Sequence, residues 1–518
     1  MGWFVRLEKL GDVKALKENF VSNLEGTTFK EVLVVTLIIP CAFILRKSVS
    51  GCFPYPSKSP LALREEEKTW RALLVDFAAV VVPGVLGLTM LSDHSGEMCV
   101  MLLILACVGV VRTKQTQQVL GHAKEKRYGN GSPGSFSSPP PRKAPVDVIQ
   151  SSSFVWDSLT EYRSILCLYT FISILAVDFK IFPRRFAKAE HYGTGLMDVG
   201  VGSFIVSDAL FTRADTPSKG RGLLGDGKKQ GLWNSLQLAA VGMLRIIAVK
   251  AISYHEHVGE YGVHWNFFLT LAVVKLFALA IPTKACGLLG ITIAVSYQTA
   301  LVAFGVNAYV NTHDRDWGNL FSLNKEGIIS LVGYASLHCL ARFFACFSKM
   351  RTLTELRRTT QDQKRSTVYT HVYCTIAFTA VCWGLGWFLD ASLERVSRRS
   401  VNAAYIFWVL ANNLTWLCTC YLARLVLDQY QKLHLFRAVN KFAFVTFIVA
   451  NLLVGLVNSM GNTLEVKPAL AVATTCLYML MICVISHVLY TNGPRFHFSR
   501  GKLLFTSGKI LHSPESEL

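Results

Sequence analysis

"VKPALAVATTCLYMLMICVISHVLYT", residues 466–491, carries a single charged side chain, Lys467. At a helical rise of 1.5 Å per residue the stretch reaches about 39 Å, more than the roughly 30 Å of a bilayer's hydrocarbon core. It lacks the alternation of apolar and polar positions that a membrane β-strand needs. A membrane-spanning helix is the reading, and the whole chain agrees with it. Of its 518 residues 52% are hydrophobic and only 17% charged, and the mean hydropathy is +0.37.

Working outward, comparable runs lie near residues 30–46, 71–92, 97–112, 161–178, 194–211, 233–251, 264–281, 285–308, 326–347, 368–389, 402–426 and 440–457. The expected fold is therefore all-α, a polytopic membrane helix bundle with about 13 transmembrane helices. About thirty polar and amphipathic residues precede the first run, unlike the short basic start of a cleaved signal peptide, so that run is read as a retained helix. "GNGSPGSFSSPPPRKAP" at 129–145 is too polar and too rich in Gly, Ser and Pro to pack a core. It marks a loop at about 113–160 within one polytopic domain, residues 1–518.

The formal net charge of +19 collects in alternate loops. Arg112, Lys114, Lys124, Lys126, Arg127, Arg142 and Lys143 lie in one, Arg213, Lys219, Arg221, Lys228 and Lys229 in the next of the set, and Lys349, Arg351, Arg357, Arg358, Lys364 and Arg365 in a third. The positive-inside rule makes that side cytoplasmic, with the C-terminus on it and the N-terminus lumenal. Topology thus accounts for the charge, and no nucleic-acid partner is expected. The cysteines show no CxxC spacing and read as small apolar residues of the bundle.

One short connection on the opposite side breaks the bias. "AVDFKIFPRRFAKAEHYGTGLMDVGVGSF", residues 176–204, holds Asp178, Lys180, Arg184, Arg185, Lys188, Glu190 and Asp198. Such charges serve either as headgroup anchors or as a site. The next connection on that side, "SYHEHVGEYGVHWNFF" at 253–268, adds His257, Glu260, His264 and Asn266 and contains no Lys or Arg. Its H-E-H order is not the H-E-x-x-H that places two zinc ligands one helical turn apart, so no metal is expected. Two consecutive loops rich in titratable groups can line one polar substrate cavity. The glycines of "GTGLMDVGVG", Gly193, Gly195, Gly200 and Gly202, are read as close helix packing.

These blocks, with "NKEGIISLVGY" at 324–334, "SRRSVNAAYIFWVLANN" at 397–413 and "NLLVGLVNSMGNT" at 451–463, resemble the inositol acyltransferases of glycosylphosphatidylinositol (GPI) anchor synthesis. That is the family of the yeast GPI-anchored wall transfer protein and of mammalian PIG-W. The resemblance covers roughly the C-terminal two thirds. It implies a multi-pass enzyme of the endoplasmic reticulum membrane that moves a fatty acyl chain, typically palmitoyl, from acyl-CoA to the 2-hydroxyl of inositol in glucosaminyl-phosphatidylinositol. No cofactor is implied, and acyl-CoA is a co-substrate. The family's catalytic aspartate and lysine match Asp178 and Lys188. Esterifying a secondary alcohol with a thioester needs a proton acceptor and a cation for the oxyanion. Pro183 would bend the loop so that the two side chains can face each other. Arg184 and Arg185 suit a phosphate, and His257, Glu260, His264 and Asn266 would complete the substrate cradle.

Membrane O-acyltransferases of another kind use a buried His. The intramembrane candidates here, His338 and His487, read more simply as satisfied core residues. A secondary transporter or a non-catalytic subunit of a glycolipid-processing complex remains the alternative.

Overall fold

The computed structural model describes residues 20, 22–49, 62–128, 154–212, 226–252, 258–312, 314–356, 361–427 and 433–492. In chain order the helices are α1 (Phe29–Ser48), α2 (Ala62–Asp76), α3 (Val82–Leu88), α4 (Ser95–Tyr128), α5 (Phe154–Ala176), α6 (Val199–Phe211), α7 (Asp226–Ile252), α8 (Val258–Tyr261) and α9 (Phe267–Ala280). They continue with α10 (Cys286–Ala303), α11 (Val306–Asn311), α12 (Leu320–Leu323), α13 (Lys325–Leu356), α14 (Gln361–Ser392), α15 (Ala403–Val426), α16 (His434–Lys441), α17 (Ala443–Met460) and α18 (Pro468–Asn492). Among the described residues the β-structure is a single isolated bridge, Thr27 with Thr194.

Each apolar run of the sequence falls on a helix, with α2 and α3 joined through a π-turn at Phe77–Val81. Nine helical segments among the described residues are long and apolar enough to cross a membrane, and the chain is a polytopic helical membrane protein. Three of the four remaining expected runs differ for identifiable reasons. Lys30, Glu31, Arg46 and Lys47 occupy the first and last turns of α1, whereas α6 and α9 have only 13 and 14 residues, about 20 Å each. α4 runs on to Tyr128 and α5 begins at Phe154, so both ends of the expected loop at 113–160 are helical, and residues 129–153 lie outside the described residues.

At the centre stand α5, α13 and α15, whose apolar spans are largely buried. Trp408, Trp416, Tyr405 and Tyr421 of α15 are enclosed, and Tyr169 of α5 stacks on Trp416 with centroids 5.6 Å apart. The outer helices α14 and α17 turn Tyr373, Trp387, Phe388, Leu452 and Leu456 outward, as lipid contact requires.

Alternate connections meet at one end of the bundle, as a chain crossing back and forth demands. Glu190 N–H donates to the Leu24 carbonyl (2.8 Å), Gly193 N–H to Val396 (2.8 Å) and Val263 N–H to Leu323 (3.0 Å). The segments before α1 and α6, after α8, and before α13 and α15 thereby form one layer. Two of the four glycines serve this layer rather than helix packing. Gly193, at φ +128°, would place a Cβ 1.8 Å from the Glu25 carbonyl oxygen, and Gly195 one 2.0 Å from that of Ala187. Gly202 does pack a helix, against Val409, while a Cβ on Gly200 would meet open space.

Candidate functional site

The loop after α5 is shaped by its own arginine. Arg184 Nη2 donates to the carbonyls of Val177 (3.0 Å), Phe179 (3.3 Å) and Phe182 (2.9 Å). Those acceptors lie just past the helix C-terminus, where carbonyls lack helical partners. Pro183, at φ −59°, opens a short 3₁₀ turn, Arg184–Phe186. Phe179, Phe182 and Phe186 anchor the turn in the core. Burial draws the Arg184 pKa down to about 10 against the opposing pull of Asp178. Its Nη1 is buried and has no hydrogen-bond partner among the described residues.

Asp178, at the head of this loop, is half-buried. Its Oδ2 accepts a hydrogen bond of 2.7 Å from Asn458 Nδ2, near the end of α17. Lys188, on the far limb of the loop, is held instead by Glu260 of α8, with Nζ 2.7 Å from both carboxylate oxygens. That ion pair ties the two polar loops together.

From Glu260 the network continues inward. Arg398 Nη1 lies 3.4 Å from Glu260 Oε1, and Arg398 Nε donates to Asp198 Oδ1 at 2.8 Å. Asp198 Oδ2 then accepts the backbone N–H groups of Gly195 (2.7 Å) and Ala189 (3.1 Å). Burial alone would push the Glu260 carboxyl up, but Lys188 and Arg398 together hold its pKa down at about 2. A deeper layer supports the first. Arg399 (2.9 Å) and Arg315 (2.7 Å) share Oε1 of Glu326, and Arg399 Nη1 reaches His191 Nδ1 at 3.2 Å. Glu394 accepts from Gln298 (2.8 Å), Tyr192 (3.2 Å) and Asn402 (3.2 Å).

The other residues singled out by sequence take varied places. Arg185 pairs with Glu31 at 2.7 Å and with Asp93. His264 is exposed, and its N–H donates to Asn324 Oδ1 at 2.7 Å. Asn266 caps α9, its Oδ1 accepting from Phe268 and Leu269 N–H while Nδ2 donates to the Gly242 carbonyl at 2.8 Å. Its amide is thus occupied with holding α9 to α7. His257 lies outside the described residues. No group of three or more His, Cys, Asp or Glu side chains among the described residues is arranged to hold a metal ion.

Sequence reasoning passed over Asn458, Arg398, Arg399, Glu326 and Glu394. The two arginines had a signal, since they are basic residues in a short connection on the side that should be poor in them. His487 is the satisfied core residue expected, whereas His338 is not. His487 Nδ1 is 2.6 Å from His434 Nε2. His338, only 1% exposed, has no hydrogen bond to either ring nitrogen among the described residues, and its Nε2 lies 3.6 Å from Asp208 Oδ2.

Fold and site together define a multi-pass helical membrane protein with a layered network of charged and amide side chains at one end of the bundle. A profile of the GWT1 family matches residues 13–489, and the chain belongs to that family. It is 32% identical over 511 residues to GPI-anchored wall transfer protein 1 of Aspergillus oryzae, covering 90% of this chain and 96% of the relative. It is 28% identical over 516 residues to the protein of the same name in Debaryomyces hansenii, covering 93% and 99%. It is also 27% identical over 519 residues to phosphatidylinositol-glycan biosynthesis class W protein of Dictyostelium discoideum, covering 92% and 97%.

Proposed function

We propose that this protein acylates inositol in GPI-anchor synthesis, transferring a fatty acyl chain, typically palmitoyl in the family it resembles, from acyl-CoA to the 2-hydroxyl of inositol in glucosaminyl-phosphatidylinositol. Membership of the GWT1 family over nearly the whole chain carries this reading, and the names of the relatives point to GPI biology. The working membrane is that of the endoplasmic reticulum. The basic-loop bias puts the N-terminus and the polar network on the lumenal side and the C-terminus in the cytoplasm.

In this reading Asp178 accepts the proton of the inositol hydroxyl as its oxygen attacks the thioester carbonyl. Lys188, fixed by Glu260 at 2.7 Å, stabilises the oxyanion of the tetrahedral intermediate. Collapse breaks the C–S bond, and the departing thiolate takes up the proton held by Asp178, leaving the carboxylate ready for the next cycle. Arg184, one of whose N–H donors has no partner among the described residues, grips a substrate phosphate.

One observation favours a competing reading, a transporter. Asp208, paired with Lys275, and His338 line a small pocket of about 10 Å³, room for one water molecule, among helices α6, α7, α9 and α13. Solution in detergent separates the two, because transport has no readout without a sealed compartment. Purified protein should convert acyl-CoA and glucosaminyl-phosphatidylinositol to the acyl-inositol product and free CoA. Asp178→Asn and Lys188→Ala should each lower the turnover by roughly 10²–10⁴-fold with normal protein levels. Wild-type turnover by either variant would overturn the assignment.

A further inference from the structure

We infer that Asn458 is a positioning residue for Asp178, an inference that rests on the proposed acyl transfer. The two residues are 280 apart in sequence and meet at 2.7 Å, Asn458 Nδ2 to Asp178 Oδ2. Asn458 sits in the last turn of α17, and its Nδ2 also reaches the carbonyl of Val454, one turn back in the same helix, at 3.1 Å. A primary amide nitrogen has two N–H bonds, so one is spent on the helix and the other is aimed at the carboxylate.

This matters because Asp178 lies beyond the last residue of α5, Ala176, where its N–H bond to the Leu175 carbonyl at 3.1 Å fixes the backbone but not the direction of the carboxylate. A charge-assisted hydrogen bond from a rigid helix sets the carboxylate plane and favours its ionised form. Both effects are what a base needs if it is to meet a hydroxyl of a lipid headgroup in one orientation. An asparagine is the right residue type, since Asp in its place would set two carboxylates in contact and a leucine would offer no donor.

Asn451 supplies an internal control. It lies two turns earlier in α17, makes the same kind of bond to the Phe447 carbonyl at 2.8 Å, and is exposed on the outside of the bundle.

The test compares the full-length wild type, Asn458→Ala, Asn458→Asp and Asn451→Ala, purified in detergent and assayed with palmitoyl-CoA and glucosaminyl-phosphatidylinositol across pH. Asn458→Ala should lower kcat about ten- to a hundredfold, as loss of a hydrogen bond to a charged group does, with KM for both substrates within about twofold. The acid limb of its kcat profile should move to higher pH, because the ionised base has lost a donor. Asn458→Asp should move that limb further, and Asn451→Ala should match the wild type. Thermal unfolding identifies folded variants, and if Asn458→Ala does not fold, the limb of the nearly isosteric Asn458→Asp decides. An unmoved acid limb in a folded Asn458 variant, or equal losses from Asn451→Ala, overturns the inference. Absence of transfer by the wild type overturns the acyltransferase reading itself, and is told apart by that result alone.

Discussion

Two ends of one bundle use the same charged residue types in opposite ways. Away from the site, Lys47 of α1, Glu161 of α5 and Arg424 of α15 meet at 2.7–2.8 Å with side chains no more than 5% exposed. Arg46 and Asp76 pair beside them at 2.8 Å. Every one of these residues stands on a helix, so the pairs fasten helix to helix. At the other end the charges stand mainly on loops. Lys188 is 38% exposed, Glu260 15%, and Arg184 has a buried N–H donor without a partner among the described residues. A closed charge cluster made of helix residues is a fastening. A partly open one, built largely on loops, leaves its outer members within reach of a solute.

The sharpest way to break this contrast is to remove one carboxylate from the fastening. Glu161→Ala leaves Lys47 buried without its anionic partner, whereas Arg424 retains Asp157 at 3.7 Å. Stripping one member from a buried ion pair costs about 3–5 kcal/mol. Thermal unfolding in detergent should register that loss, while kcat and KM of the folded fraction stay at wild-type values. A kinetic defect without a stability defect would erase the distinction between the two ends.

The site end should respond in the reverse sense, and its two arginines sharpen the comparison. Arg184→Ala should raise the apparent KM for the glycolipid about ten- to a hundredfold, the worth of one charge-assisted phosphate contact. Arg185, already paired with Glu31 and Asp93 and 36% exposed, should shift KM by no more than about twofold when changed to Ala. Equal effects from the two would mean that neighbouring cations, rather than the buried donor of Arg184, attract the substrate.

How much of this was legible in the sequence follows from the kind of signal each feature leaves. Helices declare themselves through long apolar runs, and even the short α6 and α9 lie within the runs at 194–211 and 264–281. Their starts were misplaced because irregular backbone precedes them, closed by Asp198 before α6 and by the Asn266 cap before α9. Asp178, Lys188 and Glu260 stood out as charges in short loops. Asn458 gave no such sign, since an asparagine in an apolar helix has a ready bond to the carbonyl four residues back. Nor does spacing reveal that Lys188 turns to Glu260, because that pairing depends on how α8 docks against the loop after α5.

The smallest effect expected concerns that pairing and how it depends on pH. The Glu260 carboxyl is held at about 2, below its ordinary 4.5, so the folded state favours its ionised form. Stability from this source is therefore fully present above about pH 4.5 and is lost as pH falls toward 2. Glu260→Gln removes the titrating group. Its melting temperature should run parallel to that of the wild type from pH 7 to 5, then fall less steeply below pH 4.5, so that the two curves converge in acid. The gap at neutral pH should be no more than about 1 kcal/mol, because Lys188 is partly solvated. Arg398 also keeps Asp198 at 2.8 Å when Glu260 is neutral. That surviving partner is what Lys47 lacks after loss of Glu161, and it is why the same kind of substitution should cost little at one end and several kcal/mol at the other. A Glu260→Gln variant as unstable as Glu161→Ala would show that the network at the site end is a fastening too.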